Sequence, residues 1–231
     1  MKSRILSIAL MFSFVTLLSA QDAAVTPPNY DIIKKETYDV NHEHYYPVLM
    51  ARYMANDTTL TTKEYHTLYY GFTLQEDYNP YRESDKKKPV ASIISSDSLS
   101  VAACDSILRY SLLAVEDVPF DLRAINMVIY GYSCTGNKDE SLIWSKKLKD
   151  LTEAILASGL GETQDSPIHI IYPSDEYVLV NLLGLKVTNS KLVAPTIDYV
   201  EVEENNFEKA GYFFDVSRLM EVYDDKYKVE Q

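Results

Sequence analysis

Residues 118–141 of the chain have the sequence VPFDLRAINMVIYGYSCTGNKDES. Pro119 marks a boundary between two helices, because proline does not fit the interior of a helix. Apolar residues then recur at helical spacing, at Leu122, Ile125, Val128, Ile129 and Tyr132. Gly136 lies in a small polar turn that ends this run. The stretch therefore predicts a helix, a tight turn and the start of another helix.

Helical spacing extends to both sides of this stretch. We predict earlier helices from about Tyr45 and from Thr61, where TTKE has the form of a capping box. A third helix is predicted to be capped by Asp97 or Ser98, and a fifth helix follows the Gly136 turn. Residues 77–89 are rich in charged side chains and contain two prolines, and we predict that they form a solvated loop.

The pattern changes beyond residue 161. Residues 168–172 are a short apolar run between two prolines and predict a strand. Residues 175–184 predict a short helix, although their β-branched residues leave a strand open. Residues 197–204 alternate in polarity, and residues 212–216 predict a returning strand. Helices followed by strands indicate an α+β fold, with N-terminal helical hairpins and a small β-rich C-terminal part.

These patterns divide the chain into five segments. Residues 1–20 have the form of a secretory signal peptide, because Lys2 and Arg4 precede an apolar run that is too short to span a membrane. The other segments are a linker or arm (21–44), a helical domain (45–160), a β-rich part packed on it (165–220) and a polar tail (221–231). We expect export to the periplasm or outer envelope, with no membrane segment in the mature chain.

The charge of the chain argues against nucleic acid as a partner. The sequence contains 22 basic and 34 acidic residues, for a formal net charge of −12. Removal of Lys2 and Arg4 with the signal peptide would make the mature chain more negative still. Such a chain repels nucleic acid.

Two cysteines, Cys104 and Cys134, fall in the part of the chain that we expect to be exported. If the third and fourth helices form an antiparallel hairpin that turns near Val118, both cysteines lie at about the same level. Ala103 and Gly131 are small enough to let the two helices approach each other. The sequence leaves open a disulfide or two reduced, buried thiols.

No metal, cofactor or catalytic residue is predicted. His42 and His44 could form half of a metal site, but we expect that a third ligand would have to come from far along the chain. A solvated polar segment before a helix is the interpretation we favour for them. The chain contains no G-x-S-x-G element and no glycine-rich phosphate loop.

Tyrosine is the most unusual feature of the composition, with 19 residues. Eight of them are crowded between residues 45 and 81. Tyrosine combines a large apolar ring with a polar tip, which suits surfaces that bind peptides or sugars. The alternative is that the rings fill gaps between short helices. We predict Tyr70, Tyr78 and Tyr81 as binding residues, because they are freer than their neighbours to contact a partner.

Residues 119–158 resemble a tetratricopeptide repeat. The residues that carry the resemblance are Pro119, Asp121, Ala124, Tyr132, Gly136 and Glu140. Ser141 departs from the pattern, which has alanine there. The resemblance implies a small helical stack with a concave surface, and surfaces of this kind in that family bind peptides or other proteins.

A wider resemblance covers most of the mature chain. YPVLMARYMANDTTLTTKEYHTLYYGFTLQEDYNPY, PFDLRAINMVIYGY and YFFDVSR are similar to sequences of an uncharacterised family of secreted Bacteroidetes proteins, known only as a domain of unknown function. The resemblance implies export, a helical first part and a β-rich end. The resemblance assigns no functional residues to this chain.

The function that we expect is that of an exported, non-enzymatic binding or scaffold protein. Its partner would be an envelope protein or peptide, or a glycan. The alternative is an enzyme that acts on envelope glycans or peptides through carboxylates that cannot be paired from the sequence.

Overall fold

The computed structural model describes residues 25–95 and 100–227. The predicted signal peptide lies outside the described residues, as do Asp97 and Ser98. Among the described helices, none has the length and apolar composition needed to cross a bilayer.

The described residues form nine helices and four strands, and the predicted α+β fold is confirmed. The helices are α1 (Tyr30–Tyr38), α2 (Tyr46–Met54), α3 (Thr62–Phe72), α4 (Lys87–Ile94), α5 (Val101–Asp117), α6 (Leu122–Cys134), α7 (Lys138–Leu156), α8 (Pro173–Leu182) and α9 (Ser217–Tyr227). The strands are β1 (Ile168–His169), β2 (Val187–Ala194), β3 (Ile197–Val202) and β4 (Gly211–Asp215).

Side chains cap several of the helices. The N-cap of α5 is Ser100 and not the predicted Asp97 or Ser98, because the helix begins later, at Val101. The hydroxyl of Thr61 accepts a hydrogen bond from the amide of Glu64, and the Glu64 carboxylate accepts one from the amide of Thr61, so the capping box of α3 is confirmed. Asp121 caps α6 by accepting from the amide of Ala124 at 2.9 Å. Each such bond satisfies an amide that would have no partner within the helix.

The strands form one sheet in the order β1-β4-β3-β2. Strand β1 pairs parallel with β4, whereas β3 is antiparallel to both of its neighbours. Val200 of β3 and Phe214 of β4 are fully buried, so one face of the sheet closes the core. Strand β2 was not predicted, because it lies at the sheet edge and is mostly exposed, without an apolar alternation.

Three segments are more ordered than the sequence indicates. The predicted arm contains α1, whose Ile33 is buried, and α9 covers most of the predicted polar tail and buries Val222. The predicted loop at 77–89 ends earlier, because α4 begins at Lys87. Pro89 lies in the first turn of α4, where a helix needs no amide donor.

A disulfide joins Cys104 of α5 to Cys134 of α6, with their Cα atoms 5.7 Å apart. The two helices approach closely because Gly131 has no side chain. A Cβ atom at Gly131 would lie only 2.8 Å from the Cα atom of Leu108. The bridge lies at the end of the helix pair away from its Val118 turn.

Buried tyrosines join the helical part to the segment between β1 and α8. Tyr70 donates its hydroxyl proton to the carbonyl of His169, at the end of β1, and Tyr78 donates to that of Ile171. Tyr53 makes a similar bond within the helical part, to the carbonyl of Pro119 between α5 and α6. The amide of Ile171 in turn donates to the hydroxyl oxygen of Tyr69. Because this segment has little secondary structure of its own, the tyrosine hydroxyls supply the hydrogen bonds that its buried backbone requires.

Candidate binding pocket

One pocket of the described surface lies where three segments of the chain converge. It has a volume of about 160 Å³. Its lining residues come from the end of the 77–89 loop and the start of α4, from the turn between α5 and α6, and from the start of α8. They are Pro80, Tyr81, Arg82, Glu83, Lys87, Val118, Asp121, Tyr172, Pro173 and Ser174.

Charged groups of both signs are fixed around this pocket. Asp121 holds two partners, because one carboxylate oxygen caps α6 and the other lies 2.9 Å from the Nζ atom of Lys87. Glu83 lies 3.9 Å from the same Nζ atom, and Arg82 forms an ion pair with Asp117. The pocket therefore presents balanced charges in set positions.

Aromatic rings form the apolar part of the pocket. Tyr81 is 53% exposed, and its ring packs edge-on against Tyr223 with centroids 4.9 Å apart. Tyr172 is buried beneath, and burial raises its pKa well above the usual range, so its hydroxyl stays protonated. The pocket thus offers one accessible ring beside charged groups.

Asp175 lies in the interior, one residue beyond the pocket wall. Tyr69 donates its hydroxyl proton to Oδ2 of Asp175, while Oδ1 has no hydrogen-bond partner among the described residues. Burial, together with the negative charge of Asp121, raises the pKa of Asp175 well above its usual range. Burial of this kind favours the protonated, neutral form of the carboxyl group.

Glu176 is a second buried carboxyl, held between α8 and the sheet. Its Oε2 atom accepts a hydrogen bond from the hydroxyl of Ser190 at 3.2 Å. Burial, and then the hydrogen bond and negative charge of Asp198, raise the pKa of Glu176 to about 8. This environment therefore favours the protonated form of Glu176.

The proton on Glu176 predicts that stability falls as pH rises. The folded protein holds this proton up to a pKa of about 8, whereas the unfolded chain releases it near 4.5. The stabilising contribution is therefore complete below the unfolded pKa and is lost as pH rises through the folded pKa. We expect the free energy of unfolding to fall by up to about 1.4 kcal/mol per pH unit across this interval.

Denaturant unfolding of wild-type protein and of Glu176→Gln between pH 5 and pH 9 measures this slope. The slope of Glu176→Gln should be shallower than that of wild-type protein by up to about 1.4 kcal/mol per pH unit, because the buried Asp175 still contributes a slope of the same sign. Glu204→Gln, at an exposed glutamate, should keep the wild-type slope. Equal slopes in wild-type protein and Glu176→Gln would contradict the proposal that Glu176 stays protonated in the folded protein.

The structure separates the three predicted binding residues. Tyr81 lines the pocket, but Tyr70 and Tyr78 are fully buried and cannot contact a partner. Both hydroxyls are used inside the protein for the backbone bonds described above. The prediction of a surface containing all three tyrosines is therefore corrected to Tyr81 alone.

Four residues of the pocket were not found by sequence reasoning: Arg82, Lys87, Asp121 and Tyr172. Arg82 and Lys87 belong to the charged segment beside Tyr81 that was interpreted as a solvated loop. Asp121 was noted only for its place in the repeat-like pattern. The position of Tyr172 next to Pro173, at the start of α8, was the only signal for its location at a helix end.

Comparison with known proteins gives one match. A domain of unknown function, DUF4919, matches residues 31–225. No curated protein and no solved structure matches the chain.

Proposed function

The chain belongs to the DUF4919 family, whose function is unknown, and we propose that it is an exported, non-enzymatic protein that binds an envelope protein or peptide at the pocket beside Tyr81. The observation that carries the proposal is the exposed ring of Tyr81 next to fixed charges of both signs. Tyrosine and arginine are enriched at the energetic centres of protein interfaces.

The size of the pocket favours a side chain of a larger partner. At about 160 Å³ it is smaller than the roughly 300–1,000 Å³ typical of small-molecule sites. A pocket of this size accepts one or two side chains, and the rest of a partner would lie on the surrounding surface. Because Lys87 and Arg82 are already paired with acids, the pocket does not select strongly for an anionic group.

Export is supported by the signal-peptide pattern of residues 1–20, and the resemblance to secreted Bacteroidetes proteins supports the same location. The resemblance of residues 119–158 to a tetratricopeptide hairpin supports a binding role. Sequencing the N-terminus of the protein from native cells tests export directly. A first residue of Gln21 is expected, and an N-terminus that retains Lys2 would argue against cleavage.

An enzyme that acts on envelope glycans or peptides is the second candidate. Asp175 favours it, because a carboxyl with a raised pKa near a pocket is a candidate general acid. Asp175 is only 1% exposed, however, and Glu176 is 2% exposed, and neither lines the pocket. We favour binding for this reason. If wild-type protein released fragments from envelope material and Asp175→Asn did not, the result would support the enzyme instead.

We expect Tyr81 to be the centre of the binding surface. A photo-crosslinking amino acid at position 81 should give a discrete crosslinked species in native cells, whereas one at Phe207 should not. Phe207 is a matched control because it is 61% exposed and does not line the pocket. With the partner so identified, Tyr81→Ala should weaken its binding to purified protein by about tenfold or more.

Two results would count against this surface. The first is the same set of crosslinked species from positions 81 and 207, because nonspecific collisions would explain it. The second is an unchanged affinity in Tyr81→Ala, measured by calorimetry, while the variant unfolds at the same denaturant concentration as the wild-type protein.

A further inference from the structure

Glu36, His42 and His44 come together where α1 turns back toward α2. One potential ligand atom from each of the three residues lies within 4.8 Å of the other two. Glu36 lies in the last turn of α1, and the two histidines lie in the turn that follows. His44 is buried, whereas Glu36 and His42 are half-buried, so the cluster is accessible from one side.

Hydrogen bonds already orient the rings of this cluster. Nδ1 of His44 lies 2.7 Å from Oε2 of Glu36. Nδ1 of His42 accepts a hydrogen bond from the backbone amide of His44 at 3.0 Å. The His44–Glu36 pair is therefore held in place before any ligand binds, whereas the Nδ1 bond of His42 must break, or its ring must change tautomer, before this imidazole can bind a cation.

We propose that Glu36, His42 and His44 bind a divalent transition-metal ion of the zinc type. Two imidazoles and a carboxylate are a donor set that zinc prefers, whereas calcium and magnesium take oxygen ligands. The ion replaces the proton held between His44 and Glu36. The fourth position is filled by water.

The distances require only a small adjustment. Zinc bonds of about 2.0–2.1 Å in a tetrahedral site place ligand atoms roughly 3.3 Å apart. The widest pair of ligand atoms must therefore move closer by up to about 1.5 Å, and the Nδ1–Oε2 distance between His44 and Glu36 must open slightly. All three side chains lie at a helix end or in a turn, where such movement is easiest.

The cluster could instead be structural only. Nζ of Lys63 lies 3.8 Å from Oε1 of Glu36, so the carboxylate already has partial charge compensation. In that account the His44–Glu36 bond anchors α1 to the following turn and zinc has no effect. The two accounts differ in their response to zinc, because a metal that binds only the folded state raises stability with its concentration.

The proposal reverses the expectation from the sequence that the histidines hold no metal. That expectation required a third ligand from far along the chain. Glu36 precedes His42 by only six residues, but the segment shows no helical period that would reveal the turn between them.

The experiment is a zinc titration by calorimetry of the chain without any affinity tag, together with thermal denaturation with zinc and with EDTA. We expect one zinc ion per chain, at micromolar affinity or tighter, and a higher melting temperature with zinc. His42→Ala and Glu36→Gln should each weaken zinc binding by more than the roughly 10–100-fold that loss of an outer partner causes. His66→Ala, outside the cluster, should bind as the wild-type chain does.

Absence of saturable binding to the wild-type chain would overturn the proposal, as would equal affinity in wild-type protein and His42→Ala. His44→Ala removes a buried side chain and can fail to fold. His42 and Glu36 are only half-buried, so their variants keep the test decisive. A melting temperature that is insensitive to zinc in wild-type protein would favour the structural account.

Discussion

Replacement of Gly159 by alanine is expected to destabilise the protein by about 4 kcal/mol or more. Gly159 follows α7 and lies against the start of β1. An added Cβ atom would lie 1.8 Å from the carbonyl oxygen of Pro167 and 2.4 Å from its carbonyl carbon. Overpacking of side chains costs roughly 1–3 kcal/mol, but here the obstruction is backbone and cannot change rotamer.

Denaturant unfolding of Gly159→Ala beside Gly136→Ala tests this expectation. Gly136 has a left-handed backbone with φ of +82°, but a Cβ atom there would meet nothing within 4 Å. Its alanine variant should lose only about 1 kcal/mol. Similar losses in the two variants would show that α7 and β1 separate more easily than their contact indicates.

Loss of the Cys104–Cys134 disulfide is expected to lower the free energy of unfolding by about 3–4 kcal/mol. The two cysteines are 30 residues apart in sequence. A bridge that closes a loop of this length removes much of the freedom of the unfolded chain, and folding then has less entropy to overcome. The effect therefore acts mainly on the unfolded state, and the folded hairpin should keep its shape.

The measurement is the denaturant midpoint of wild-type protein with and without dithiothreitol, and of the double variant Cys104→Ala/Cys134→Ala. Reduced wild-type protein keeps both sulfur atoms, so it controls for lost packing. Reduction and the double substitution should both lower the midpoint, and the double variant should not respond to dithiothreitol. Two titratable thiols in denatured, unreduced protein would rule out the bridge.

Much of the helical part could be predicted, because its signals are local. The spacing of Leu122, Ile125 and Ile129 and the Thr61–Glu64 box each depend on residues within a few positions of one another. Strand β4 was predicted for the same reason. Strand β2 was missed, because the pairing with β3 that defines it is not visible in a mostly exposed, polar segment.

The site was harder to predict, because its residues are brought together by distant contacts. Tyr70 and Tyr78 were interpreted as surface residues, and only the structure shows that their hydroxyls bond backbone groups more than 90 residues away. The same holds for the pocket, where the 77–89 loop meets the start of α8. A tyrosine-rich sequence is equally compatible with an interior that needs hydroxyl donors and with a surface that binds a partner.

The parallel pairing of β1 with β4 sets an order of events during synthesis. Ile168 pairs with Phe214, so β1 has no neighbouring strand until the chain has been synthesised as far as β4. Until then, the apolar side of the helical part has no cover. A version truncated before Gly211 would lack β4, so its apolar interior would stay exposed and proteases would degrade it.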